Sequence, residues 1–335
     1  MKASFAANGR NLALLAGSAG VLFAALQMSG TPPVDVLTGL AKGSMGSPAA
    51  WSGTLRETAP LLLAGVAVML GLRAGLFNIG VEGQLLVGAL TCAVTAIHLP
   101  GAGGLLAGLV TGALGGALWA APAGLIKAYR GGHEVITTIM LNSIAALFTA
   151  SLVTKVFRDP TQQSVTTSYI AQRMPMATPG AVEINAALVA GLLAALWLAW
   201  WLRRTVAGYE LMAVGENPVA AEFAGIDRRV VQVKAMLMSG ALAGLAGALQ
   251  VAAVEHRYYD GFSPGYGFDA LGVALLAGAH PLALVPSALL FGVLEKGGSA
   301  IQILGVPKGI VGVVLGVVIV VSAAFRTRKG GGDHG

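Results

Sequence analysis

The chain has 335 residues, of which 56% are hydrophobic and 11% are charged. A soluble globular domain is roughly 45–50% apolar and about 25% charged, so the composition excludes an ordinary soluble fold and predicts an integral membrane protein. A single cysteine, Cys92, excludes a disulfide framework and a multi-cysteine metal site. The net charge of +6 does not indicate nucleic-acid binding, because the basic residues stand between apolar segments, as membrane topology requires.

Long apolar runs predict the membrane spans in chain order. A helix needs about 20 largely apolar residues, at a rise of ~1.5 Å each, to cross a bilayer. A further apolar stretch, Phe268–Gly298, is interrupted by Gly278, His280, Pro281 and Pro286, which allows either one long span or two short ones. The uninterrupted candidates are Leu12–Met28, Pro60–Leu72, Leu76–Leu99, Gly103–Ile126, Val135–Val156, Ile184–Leu202, Ala235–Val254 and Ile310–Phe325.

The distribution of basic residues indicates the topology. They cluster at the amino terminus, after the fourth span, in the connection 203–234 and in the tail 326–335. If all four clusters are cytoplasmic, the number of crossings is even. Two spans within Phe268–Gly298 then give about ten crossings. We therefore predict an all-α, polytopic membrane protein with about ten transmembrane helices, some of them short and interrupted. It forms a single transmembrane domain over residues 1–335 with both termini in the cytoplasm.

Polar residues within the apolar segments need a reason, because an ionisable group in hydrocarbon costs about 2.5–3.5 kcal/mol. Glycines between Arg73 and Gln84 permit a break in the helix, and Asn78, Glu82 and Gln84 can bond the backbone groups that a break exposes. Two interpretations remain open, a pathway for a polar solute or a structural Arg73–Glu82 pair with a polar clasp. Asp269 is either an N-cap or a pathway residue. The candidate pathway residues are Phe77, Asn78, Glu82, Gln84, Asn142 and Asp269.

Small residues recur at a spacing of four in two of the predicted spans. The first row contains four glycines and an alanine, and the second is the pair Gly240 and Gly244. This spacing gives a flat helix face and predicts close contact between helix backbones. The residues of the first row are Gly104, Gly108, Gly112, Gly116 and Ala120.

The cytoplasmic connection 203–234 contains signals for a short helix. Asn217 is a favourable N-cap, Pro218 suits the first helical position, and Gly225 can end the helix. Such a short helix is marginally stable alone, so we expect it to dock either on its own bundle or on a partner.

Signatures of catalysis are missing from the sequence. It has no Gly-x-x-x-x-Gly-Lys-Ser/Thr phosphate loop and no His-Glu-x-x-His zinc motif. No nucleophile and base can be paired within its motifs, so the sequence favours a transport component over an enzyme.

Several collinear motifs carry a family resemblance. The run RAGLFNIGVEGQ from Arg73 to Gln84 resembles a signature of permease subunits in bacterial ATP-binding-cassette importers for nucleosides. These permeases form a branch of a family that also imports branched-chain amino acids and simple sugars. The resemblance covers about residues 60–321. Further similar runs are EVITTIMLN from Glu134, AVGENPVAA from Ala213, SGALAGLAG from Ser239 and GYGFD from Gly265.

The resemblance implies a type II importer fold in the bacterial inner membrane. It also implies nucleoside uptake by alternating access, driven by a separate cytoplasmic ATPase that binds ATP and Mg, with no cofactor or metal in this chain. The implied partners are this ATPase, a second homologous permease subunit, an extracytoplasmic substrate-binding protein and membrane lipid, but no nucleic acid. The segment implied to couple to the ATPase contains Gly215, Glu216, Asn217, Pro218, Ala220, Ala221, Phe223 and Gly225.

Two alternatives stay open. An importer of the same architecture can carry simple sugars or branched-chain amino acids. A stand-alone ion-coupled carrier would use Glu82 and Asp269 as proton sites.

Overall fold

The structure, a computed structural model, is helical throughout the part of the chain that it describes. Within that part no β-strand forms, and the extended segments make two isolated bridges, Thr166–Tyr259 and Ala177–Ile184. The all-α prediction is confirmed. The described residues are 32–99, 101–172, 174, 176–178, 181–278, 280–306, 312–313 and 316.

Eleven α-helices follow one another along the described residues. A five-residue π-helical segment, Val251–Glu255, continues α9, and a 3-10 turn, Pro281–Ala283, precedes α11. The helices are α1 Pro33–Met45, α2 Pro48–Arg73, α3 Val81–His98, α4 Ala102–Arg130, α5 Glu134–Lys155, α6 Ala186–Arg204, α7 Val206–Glu216, α8 Pro218–Phe223, α9 Arg228–Gln250, α10 Tyr266–Ala277 and α11 Leu284–Ile301.

Seven helices in the described part are long and apolar enough to cross a membrane, and α10 is a shorter apolar helix. The chain is therefore a multi-pass membrane protein. The interrupted stretch Phe268–Gly298 holds two helices rather than one, because Gly278 adopts a positive φ of 65° and Pro281 opens a new turn. The predicted span Leu12–Met28, and nearly all of Ile310–Phe325, lie outside the described residues. The count of ten crossings stays a prediction.

Several helix boundaries differ from the sequence-based ones. Helix α2 begins twelve residues before Pro60, because polar side chains in its first turns bond within the helix, as Ser52 Oγ does to Pro48 O at 2.8 Å. Helix α3 begins at Val81 rather than Leu76, because the glycine-rich break occupies the intervening residues. The connection 203–234 is largely helical: it contains α7 and α8, and α9 already begins within it at Arg228.

The described residues fall into two compact units. The larger takes its residues from Thr58–Thr178 and Ile184–Ala288, and the smaller from the two ends of the chain and Pro179–Glu183. In the smaller unit, Gly297 of α11 lies against Leu40 of α1, and Glu183 forms an exposed 3.5 Å ion pair with Arg56. The single-domain prediction over 1–335 stays a prediction.

Helices α3, α4 and α9 form the centre of the larger unit, and small residues set their spacing. A Cβ added to Gly116 would overlap the backbone of Gly240 and Gly244, and one added to Gly88 would overlap the backbone of Gly244. The three helices therefore approach one another backbone to backbone. This confirms the close packing that the glycine rows predict.

Candidate translocation site and coupling element

The α2–α3 break is held by a buried polar clasp. Asn78 is 1% exposed; its Oδ1 accepts from Gly80 N at 3.0 Å, and its Nδ2 donates to Gln84 Oε1 at 2.9 Å and to Ser239 Oγ at 2.8 Å. Ser239 in turn donates to Ala67 O at 2.7 Å. The predicted polar clasp is present, and it links the break to both α2 and α9.

Helix α5 supports the same break from another side. Asn142 Nδ2 donates to Ile79 O at 2.8 Å, and Asn142 Oδ1 accepts from Gly83 N at 2.9 Å. Since both halves of the amide are engaged, Asn142 acts as a fixed brace between α5 and the start of α3. The Glu134 carboxylate at the start of α5 accepts a bond from the Phe77 backbone and forms a 2.8 Å ion pair with Lys127.

Glu82 connects α3 to α10 rather than to Arg73. Its Oε2 accepts a hydrogen bond from Gly267 N at 2.7 Å, and the Ser263 hydroxyl also bonds the carboxylate. Arg73 instead lies within electrostatic range of Glu216 in α7. The interpretation that Arg73 and Glu82 form a structural ion pair is therefore wrong. The carboxylate satisfies the backbone N–H of Gly267 in the first turn of α10, where a negative charge is favourable.

A cavity of about 410 Å³ lies beside Glu82 in the larger unit. Its inner wall is buried and includes Glu82, Asn142, Thr149 and Tyr258, whereas Asp260 lies exposed at its mouth. The cavity therefore runs from an exposed opening to a polar floor at the broken helix. The other lining residues are Leu86, Ser143, Ala146, Gly261, Ser263, Pro264, Gly265 and Phe268.

The segment that forms one cavity wall begins at an irregularity in α9. The helix widens into its π-helical segment and ends at His256, which adopts a φ of +56°. Tyr258 follows; its ring packs edge-on to Phe262 at 5.1 Å, and burial raises the pKa of its hydroxyl to about 12. Local π-helical geometry is frequent at functional sites, and here it redirects the chain into the cavity wall.

The 158–178 connection is bonded to this wall. Thr167 N donates to Tyr258 O at 2.9 Å, and Thr167 Oγ1 accepts from Tyr258 N at 3.0 Å. Arg257 lies over the Tyr169 ring at 4.7 Å from its centroid. The connection thereby fixes the backbone of Tyr258 in the cavity wall.

The remaining candidate pathway residues occupy different positions. Gln84 is buried in the clasp, and its Nε2 donates to Asn78 Oδ1 at 3.1 Å. Phe77 is 47% exposed within the break. Asp269 lies in the first turn of α10 and is half-buried, and the N-cap position, one of the two interpretations of this residue, belongs to Gly265. Neither Phe77 nor Asp269 lines the cavity.

The predicted coupling segment forms two short helices. Asn217 caps α8 as expected, with Oδ1 accepting from Val219 N at 3.1 Å and Ala220 N at 3.0 Å. Phe223, the last residue of α8, is 91% exposed, whereas Ala221 is buried. Gly225 follows with a φ of +84°, where an L side chain would be strained. Helix α8 therefore presents an aromatic side chain away from its own bundle.

Helix α7, absent from the predicted spans, connects this element to the broken helix. Its N-cap is Thr205, whose Oγ1 accepts from Gly208 N at 3.0 Å. Threonine is a favourable N-cap residue, so the sequence does contain a signal for the start of α7. At its other end, Gly215 lies against the backbone of Arg73 and Gly75, and Gly75 has a φ of +70°. Only residues without side chains fit this contact.

Sequence reasoning missed several residues of the site. Ser263 and Asp260 stand in an irregular segment that has no periodicity to indicate a face, and Tyr258 reads as an ordinary aromatic residue near a span end. Among the described residues, no group of three or more His, Cys, Asp or Glu is arranged to hold a metal ion.

Comparison with known proteins identifies the family of this chain. The family described as the permease component of the branched-chain amino acid transport system matches residues 51–323. The chain belongs to this permease family. The chain is therefore a permease component of a transport system.

Individual relatives match over most of their length. The chain is 35% identical to a guanosine ABC transporter permease protein of Bacillus subtilis, over 89% of this chain and 94% of the relative. It is 33% identical to a glucose ABC transporter permease protein of Haloferax volcanii, over 90% of this chain and 82% of the relative. It is 32% identical to a nucleoside ABC transporter permease protein of Lactococcus lactis, over 82% of this chain and 79% of the relative. No solved structure matches this permease.

Proposed function

We propose that this permease is a membrane subunit of an ABC importer that takes up nucleosides. The observation that carries the proposal is the 35% identity to a guanosine permease along almost the whole of both chains. A second relative is named as a nucleoside permease. The cavity beside Glu82 supports the proposal, because its volume lies within the range of small-molecule sites, about 300–1,000 Å³.

The proposed transport cycle draws its energy from a separate subunit. A cytoplasmic ATPase binds ATP and Mg and receives α8, with Phe223 as the exposed anchor. Movement of α8 passes through α7 and Gly215 to the break between α2 and α3, where Asn78, Glu82 and Gln84 lie. The contact of Gly215 with Arg73 and Gly75 supports this route, because it joins the coupling element directly to the broken helix.

The same proposal includes the other partners and the location. A second homologous permease pairs with this one, and an extracytoplasmic binding protein delivers the solute. The complex lies in the bacterial inner membrane with both termini of this chain in the cytoplasm, as the basic clusters favour.

A simple sugar is the second candidate solute. The observation that favours it is the 33% identity to a glucose permease over 90% of this chain. Both candidates carry hydroxyl groups and no charge, so both require hydrogen-bond partners for hydroxyl groups in the cavity.

Uptake into proteoliposomes tests the proposal. The vesicles contain this permease, its partner permease and the ATPase, with binding protein outside and ATP inside. Labelled guanosine, adenosine and uridine are offered, with unlabelled sugars and branched-chain amino acids as competitors. We expect accumulation of a nucleoside that requires both ATP and binding protein. Uptake driven by a pH gradient without the ATPase would instead identify an ion-coupled carrier.

A further inference from the structure

The charge of the cavity restricts what it can bind. The described residues that line it include two carboxylates, Glu82 and Asp260, and no lysine, arginine or histidine. An anionic group in this space would meet negative charge without a compensating cation, which is costly where water is excluded. Solutes with a phosphate or a free carboxylate are therefore disfavoured, and neutral hydrogen-bond donors are favoured.

Most polar groups of the cavity floor are already committed to the protein. Both amide atoms of Asn142 bond backbone groups, and Thr149 Oγ1 donates to Ala145 O at 2.8 Å. The Tyr258 hydroxyl bonds the Thr149 side chain. These bonds fix the side chains in the cavity lining, and they use the Thr149 donor and one position on each amide atom of Asn142.

Glu82 differs from these groups because it is a carboxylate, and it also has acceptor capacity to spare. A carboxylate offers about four lone-pair positions, and Gly267 N and the Ser263 hydroxyl occupy two of them. Glu82 is 7% exposed, and that remaining surface adjoins the cavity. The two protein donors also fix the side chain in place, so a solute does not have to order it.

We propose that this cavity binds a neutral solute through adjacent hydroxyl groups, with Glu82 as the acceptor that recognises them. The inference rests on the proposed function and gives its solute a chemistry: a ribonucleoside places its ribose hydroxyls at Glu82. Carboxylates recognise ribose hydroxyls in the same way in dinucleotide-binding proteins. Phe268, 48% exposed at the cavity wall, offers an aromatic face on which a base stacks.

Substitution of Glu82 by glutamine separates this role from a structural one. The glutamine oxygen can still accept from Gly267 N, so the bond that joins α3 to α10 is kept. The amide NH2 then replaces the second carboxylate oxygen, which exchanges an acceptor for a donor. A merely structural Glu82 predicts that Glu82→Gln binds solute normally. A recognition role predicts that it loses selectivity for hydroxyl groups.

The test measures binding of labelled guanosine to the complete permease–ATPase complex in lipid nanodiscs, without binding protein. The competitors are guanosine, 2′,3′-dideoxyguanosine and guanosine 5′-monophosphate. For the wild-type complex we expect dideoxyguanosine to compete about tenfold or more weakly than guanosine, because it leaves the buried acceptor without a donor. The monophosphate should compete more weakly still. In Glu82→Gln the difference in competing strength between guanosine and its dideoxy analogue should shrink to about twofold or less.

Glu183→Gln is the matched control, because it makes the same chemical change at an exposed ion pair that does not line the cavity. It should retain the wild-type discrimination. If Glu82→Gln also retains it, or if the wild-type complex binds both analogues equally, the inference is overturned while nucleoside transport stands. The analogue series on the wild type tests hydroxyl recognition even if the variant does not assemble. If the wild-type complex neither binds nor transports any nucleoside, although its ATPase responds to the binding protein, the proposed function itself fails.

Discussion

Gly215 lies in contact with the backbone carbonyl of Arg73, although 142 positions separate the two residues along the chain. A Cβ on Gly215 would overlap that carbonyl group, and Gly75, two residues further along the same segment, also lies against Gly215. The end of α7 therefore touches the start of the broken segment without an intervening side chain. A displacement of α7 therefore displaces the adjoining backbone that leads to Asn78 and Glu82.

The first prediction concerns this contact. Gly215→Ala should raise the intrinsic helix propensity of α7 by about 0.5–1 kcal/mol. The added methyl group also overpacks the Arg73 contact, which costs about 1–3 kcal/mol. We expect the second effect to dominate and uptake to fall severalfold, because the contact must shift to admit the methyl group. Uptake rates and ATP hydrolysis by the reconstituted complex measure the effect. Wild-type uptake by Gly215→Ala would contradict a tight link at this contact.

The second prediction concerns the exposed anchor of α8. Phe223→Asp should lower both uptake and ATP hydrolysis stimulated by the binding protein, by about tenfold, as expected for an aromatic hot spot in an interface. The apparent Tm of the isolated permease should not change, because Phe223 is 91% exposed. Phe223→Leu is the control: it retains an apolar anchor and should keep most of the coupling. Normal stimulation in Phe223→Asp would remove α8 from the coupling role.

The third prediction concerns the clasp. Asn78→Ala leaves Gly80 N and the Gln84 side chain without this partner in a buried site, and each unsatisfied group costs about 1–3 kcal/mol, whereas Ser239 keeps its bond to Ala67 O. We expect a clear fall in apparent Tm, measured in detergent at a fixed scan rate. Thr154→Ala is the control, because the exposed Thr154 hydroxyl bonds a carbonyl of its own helix, and it should change stability by less than about 0.5 kcal/mol. Equal Tm values for the two variants would show that the clasp is not stabilising.

The fourth prediction concerns the glycine contacts of α3, α4 and α9. A Cβ on Gly244 meets the backbone of Gly112 and Gly116, which cannot move aside as a side chain can. Gly244→Ala should therefore lower apparent Tm and folded yield. Gly103→Ala, also in a helix, meets nothing within 4 Å, and should be neutral or stabilising by about 0.5–1 kcal/mol. Expression followed by size-exclusion chromatography and thermal scans distinguishes the two, and matching behaviour would argue against backbone contact at Gly244.

Local features of this protein followed from the sequence because their causes are local. The apolar runs are long enough to span a bilayer, and the glycines between Arg73 and Val81 permit a break in the helix. Asn217 starts α8 through bonds to residues within three positions, and Pro218 suits the first helical position through its fixed φ. The glycine rows predicted close packing because a four-residue spacing places small residues on one face of any helix.

The site itself was decided by tertiary structure. Asn142 braces the break at Ile79, and Glu82 bonds Gly267 rather than Arg73; these partners are 63 and 185 positions apart along the chain. Membrane helices are apolar on most faces, so periodicity does not indicate how each one is rotated. Sequence thus determined that Glu82 needs a partner in an apolar setting. Which donor meets it depends on the rotation and depth of α3 against α10, and those are set by the packing of all the helices together.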